Sequence, residues 1–189
     1  MAFPSMLSCK TQSERRHVLT IIQQPTKGRA FYEDIKDRIP LDPPLILQAG
    51  LFDEHGNESV CEPEDLAFLV AHVSLWSEDG AEARDVLVSC QDPQDVSRML
   101  LGNTVSSVMS SSSKAQNYFI FEDLSIKEPG EYRLAVSLTD IRRNILFGES
   151  DTTTIATILT EAFQVQTKVD YENSIDSHVS SSRDFVQQE

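Results

Sequence analysis

The chain has 189 residues, 40% of them hydrophobic, enough for one domain with its own core or one domain with a tail. Its formal net charge is −14, and no segment reaches the roughly 18 apolar residues that a helical membrane span needs. Cys9, Cys61 and Cys90 stand at unrelated spacings, which argues against a disulfide framework and for a reducing compartment. The N-terminal MAFPSMLSCKTQSERR has no basic start leading into an apolar stretch, so no secretory leader is expected.

The elements read in chain order are mostly strands. Val18–Gln24 is an apolar, β-branched run that Pro25 ends. A basic loop comes next, with Lys27, Arg29, Lys36 and Arg38 inside twelve residues. Pro25, Pro40, Pro43 and Pro44 stiffen its ends by fixing φ and removing donors. Leu45–Phe52 is a second strand, followed by a turn at Asp53–Asn57. Leu66–Trp76, LAFLVAHVSLW, is long enough for a strand buried on both faces. Val86–Cys90 is a short candidate. The stretch from Asp92 to Gly102 reads either as a short helix capped by Asp92-Pro93 or as a strand leading into Thr104–Val108. The serines at 110–113 suggest a flexible loop tip. Tyr118–Phe121 is aromatic, and Lys127–Gly130 is a turn. Tyr132, Leu134, Val136 and Leu138 then alternate with Arg133, Ala135, Ser137 and Thr139, a period of two that buries one face. Ile155–Leu159 and Phe163–Val169 complete the set, and a polar, acidic tail begins at Asp170, expected to be ordered only in part. Short strands separated by turns predict an all-β two-sheet sandwich. No fixed repeat points to a solenoid or propeller.

Motifs of catalysis and metal binding are missing from the sequence. His17, His55, His72 and His178 show neither HxxxH nor HExxH spacing, and there is no CxxC, GxGxxG, phosphate-binding loop or GxSxG elbow. His72, in an apolar run, reads as a satisfied strand residue, and acids such as Glu62, Glu64 and Asp65 read as solvated turns. No metal, no cofactor and no enzymatic activity are expected.

Charge is the positive signal. Residues 1–38 hold seven of the 16 Lys and Arg against four acids, a local +3, and the remainder carries −17. Cations on a loop anchored by two strands suit phosphate oxygens, because each neutralised phosphate releases counterions. Glu33, Asp34 and Asp37 lie among them, so the same loop also reads as one that pairs its own charges.

A family resemblance rests on several phrases in order. "LTIIQQPTKGRA" and "DRIPLDPPLILQAGLFD" are followed by "LLGNTVSSV", "YFIFEDLSIKEPGEYRLAVSLTDI" and "EAFQVQTK". Together they resemble the velvet domain of fungal regulators, over about residues 16–188. The resemblance implies an N-terminal extension at 1–14 and a velvet domain at 15–189. The implied fold is an immunoglobulin-like β-sandwich akin to Rel-type DNA-binding domains, with short helical segments. It also implies regulation of development, sporulation and secondary metabolism in the nucleus and also the cytoplasm, and binding to duplex DNA. The implied partner is another velvet-domain protein, in a homo- or heterodimer, with no membrane involved. Lys27, Arg29, Lys36 and Arg38 match the family's DNA-contacting loop. Asp37 and Ile39 stand where further positive residues are common, Leu45 replaces a third proline, and Lys168-Val169-Asp170-Tyr171-Glu172 replaces a K-x-F-P-G stretch. Two functions therefore stand side by side: a DNA-binding regulator, and an interaction module of the same fold with little DNA binding of its own. Phe119, Phe121, Tyr132 and Leu134 are either a dimer patch or plain core.

Overall fold

The computed structural model describes residues 16–59, 61, 63–88, 96–111, 116–148 and 152–174. Along the chain they form β1 (Arg16–Gln23), β2 (Lys27–Arg29), β3 (Leu45–Phe52), β4 (Glu58–Ser59), α1 (Pro63–Leu66), β5 (Leu69–Ser77), β6 (Val86–Val88) and β7 (Val96–Arg98). Next come β8 (Leu100–Leu101), β9 (Val105–Ser107), β10 (Met109–Ser111), β11 (Gln116–Phe121), β12 (Ser125–Ile126), β13 (Gly130–Asp140), α2 (Arg142–Phe147), β14 (Thr153–Leu159) and β15 (Phe163–Gln166). A 3-10 turn spans Ile35–Asp37, and residues 168–174 are helical.

The architecture is an all-β sandwich with short helical segments. One sheet runs β1-β3-β11-β10, with β4 also on β3; the other runs β2-β15-β13-β5-β9, with β14 also on β13. The chain steps from β9 in one sheet to β10 in the other through Val108, and Ile120 N–H donates to Ser106 Oγ at 3.2 Å, stitching that side shut. The strand period puts Leu45, Leu47, Ala49 and Leu51 of β3 and Phe119 and Phe121 of β11 inside one layer. Leu69, Ala71, Val73 and Leu75 of β5 and Leu134, Val136 and Leu138 of β13 face them from the other. Phe119, Phe121, Tyr132 and Leu134 are thus core, not a surface patch.

Several sequence expectations need correction. The run Leu66–Trp76 is not one strand buried on both faces: Leu66 closes α1, and β5 alternates, with His72 exposed on the outer face. Pro63 at the start of α1, followed by Glu64 and Asp65, favours a helical turn there. Of the two readings of 92–102, the strand holds from Val96 onward, with residues 92–95 outside the described set. Of the serine run, Ser110 and Ser111 belong to β10, and 112–113 lie outside the described residues. The last strand stops at Gln166, and Lys168 and Val169 open a helical turn.

Phe119 is fully enclosed between the layers. Phe119→Ala is expected to lower unfolding free energy by about 3–5 kcal/mol, the usual cost of deleting a buried ring. Urea titration against the wild type measures it; a loss below about 1 kcal/mol, the range of surface changes, would contradict this core assignment.

Candidate nucleic-acid interface

Lys27 and Arg29 do not lie on a loop, as the sequence suggested, but on β2. This strand pairs in parallel with β15, with Lys27 opposite Gln164, Gly28 opposite Val165 and Arg29 opposite Gln166. Gly28 at the centre allows a close approach, because a Cβ there would come 2.5 Å from Leu41 Cδ2 and the Leu41 side chain would have to shift. After β2 the chain makes a compact excursion and returns beside its own start. Lys27 N–H donates to Asp42 C=O at 3.1 Å, and Asp42 N–H donates to Lys27 C=O at 3.0 Å. The excursion is anchored inward, since Ala30, Phe31 and Leu41 are buried and Ala30 and Leu41 join the main core. Phe31 and Tyr32 N–H groups tie it to the carbonyls of Ile126 and Lys127. At its tip, Asp34 accepts from Lys36 N–H at 3.0 Å and starts the 3-10 turn.

The four basic residues have different surroundings. Arg29 is only 5% exposed. Its Nη2 lies 2.9 Å from Asp37 Oδ1 and also donates to the Asp37 carbonyl, and its Nη1 is 3.9 Å from Glu172. Lys27 Nζ lies 3.6 Å from Asp42 and sits 5.6 Å from the Tyr171 ring centroid. Arg38 Nη2 reaches Asp123 at 3.2 Å, while the other Asp123 oxygen takes Asn103 N–H at 2.7 Å. Lys36 is exposed and makes no ion pair among the described residues. Two further cations join from distant sequence: Lys127 Nζ is 2.8 Å from Glu33, and Lys168 Nζ is 2.9 Å from Asp37 Oδ2. Among the described residues no group of three or more His, Cys, Asp or Glu is arranged to hold a metal ion, and no helix is long and apolar enough to cross a membrane.

The family model described as Velvet factor matches residues 17–97 and 87–183. The chain belongs to the velvet family. It is 39% identical over 127 residues to the "Sexual development regulator umv3" of Mycosarcoma maydis, covering 64% of this chain and 31% of that protein. It is 31% identical over 148 residues to the "Developmental and secondary metabolism regulator VEL1" of Botryotinia fuckeliana, covering 72% and 24%. The "Spore development regulator vosA" of Beauveria bassiana is 28% identical over 185 residues, covering 91% and 64%. The velvet chain described here thus spans about a quarter to two thirds of these relatives, which are regulators of development and, for VEL1, of secondary metabolism.

In this velvet chain, six cations (Lys27, Arg29, Lys36, Arg38, Lys127, Lys168) and six carboxylates (Glu33, Asp34, Asp37, Asp42, Asp123, Glu172) share one end of the sandwich. Sequence reasoning found the four cations of the 27–38 stretch. It missed Lys127 and Lys168 because tertiary contacts alone bring them to Glu33 and Asp37. Asp37 is the hub. Its carboxyl is held below the usual carboxylate range, first by the hydrogen bond from Lys168 and then by that from Arg29. A folded value below the unfolded one gives stabilisation that is complete above the unfolded carboxylate range and is lost as the pH falls through the lowered value. Asp37→Asn is therefore expected to make the acid limb of stability shallower, read as thermal unfolding midpoints from neutral to acid pH. An acid limb unchanged from wild type would mean that Asp37 carries no such coupling.

Proposed function

We propose that this velvet-family chain is a nuclear regulator of fungal development, sporulation and secondary metabolism that contacts duplex DNA through the excursion between β2 and β3. One observation carries the reading. On a body of net charge −14, half a dozen cations gather at a single end of the sandwich. Their carboxylate partners do not preclude contact with DNA. Exposed ion pairs contribute about 0–1 kcal/mol each, so a phosphate can replace a carboxylate at small cost. Lys36 needs no exchange, and Lys27 and Arg38 have exposed or half-exposed partners in Asp42 and Asp123. Arg29, enclosed and held by Asp37, acts as the anchor of the excursion and not as a phosphate contact.

Lys36→Ala with Arg38→Ala is expected to weaken duplex binding across sequences. It should also lower the slope of log affinity against log salt by about 0.9 for each contact removed. Fluorescence anisotropy at several salt concentrations measures both. An unchanged slope in the double variant would remove these two side chains from the interface.

A second reading, a module acting through a partner protein, is favoured by the ribbon of β6 and β7. Val86, Val88 and Val96 are each more than half exposed on it, with Val88 paired opposite Val96. Two copies at −14 each repel one another, so another velvet protein of lower negative charge suits this ribbon better than a second copy. Val88→Asp is expected to abolish a heterodimer seen by size exclusion with light scattering, while leaving DNA binding by the lone chain unchanged. Persistence of the complex would dismiss the ribbon as the contact.

A further inference from the structure

We propose that Lys168, 131 residues beyond Asp37 in the chain, is a phosphate-contacting residue of the same surface. The inference rests on the reading that the excursion after β2 meets duplex DNA. Its origin is topological. Because β2 and β15 run parallel, the chain leaves both strands at the same end of the sheet. Ala30 N–H, just past Arg29, donates to Gln166 C=O at 2.9 Å, so the two exits stay in register. The exit from β2 leads into the basic excursion, and the exit from β15 leads to Lys168.

The side chain is placed and available. The turn that carries it is fixed, since Tyr171 is buried and donates its N–H to Thr167 C=O at 3.0 Å. The Lys168 ammonium lies 2.9 Å from Asp37 Oδ2, yet the side chain is 52% exposed. An ammonium has three donors and Asp37 uses one, which leaves two for phosphate oxygens. The contact with Asp37 also holds the flexible stem against the excursion, so less rotamer freedom is lost when an anion arrives.

The competing role is neutralisation only: Lys168 cancels the Asp37 charge and touches nothing else. A double-mutant cycle separates the two roles. With a contact, Lys168→Ala lowers affinity for a duplex, and the salt slope by about 0.9, both in wild type and in Asp37→Asn, while Lys168→Arg keeps most of the affinity. With neutralisation alone, Lys168→Ala has no effect once Asp37 is Asn, and the proposal falls.

Should Asp37→Asn fail to fold, amine acylation of the wild-type chain followed by mass spectrometry gives an independent answer. Lys168 is expected to react several-fold more slowly with duplex present. Equal rates with and without DNA overturn the proposal. A wild-type chain that binds no duplex at low salt defeats the underlying reading itself. A chain that binds but is indifferent to Lys168 defeats only this inference.

Discussion

The parallel pairing of β2 with β15 is the constraint on which the basic end of this molecule depends. Parallel strands need a crossover between them, and here almost the whole sandwich is that crossover. The consequence is geometric. Two segments far apart in sequence leave the sheet side by side, one carrying Lys36 and Asp37, the other Lys168, Tyr171 and Glu172. Gly28, at the centre of the pairing, leaves room for the Leu41 side chain to pack close against β2. A larger residue there would force the Leu41 side chain to move.

The electrostatics of the rest of the chain bear on its solubility and its partners. An acidic body repels a polyanion, and the end where six cations match six carboxylates is the one where that repulsion is locally offset. Concentrated cations would repel one another in the uncomplexed protein. Interleaved carboxylates relieve that repulsion, and the exposed pairs of Lys27 and Lys168 are worth little in water and therefore replaceable. Under the proposed reading, affinity for a phosphate backbone would be sensitive to salt and to the loss of single lysines, because few contacts would carry the interaction.

How much of this was legible in the sequence differs by element. The period-two run Tyr132–Leu138 and the apolar runs around Leu47 and Phe119 announced both layers of the core, because burial of one face leaves an alternation that survives in one dimension. Lys27-Gly28-Arg29 carried no such mark. It is three residues long and polar at both ends, and it becomes a strand only through pairing with residues far away. The stretch around Asp92 gave two readings because a cap signal and a strand pattern overlap there, and tertiary pairing of β6 with β7 decided the part from Val96 onward. Of the site, the four cations of the 27–38 stretch were visible as residue types. Which of them is enclosed, and that Lys127 and Lys168 join them, depends on long-range contacts that no local window contains.

The choice between arginine and lysine at these positions then has a physical sense. Arg29 sits where the site must not move. Its Nη2 meets both the carboxylate and the carbonyl of Asp37 while its Nη1 lies 3.9 Å from Glu172, a spread of fixed donors that a single ammonium cannot reproduce. Its buried Nε finds no hydrogen-bond partner among the described residues, a cost that the enclosed ion pair must offset. Lys27, Lys36 and Lys168 sit at the rim, where a compact ammonium on a flexible stem can trade one oxygen for another. A fixed arginine beneath and exchangeable lysines above give a surface that keeps its shape while its counter-ions change, which is what binding a phosphate backbone without remodelling the sandwich requires.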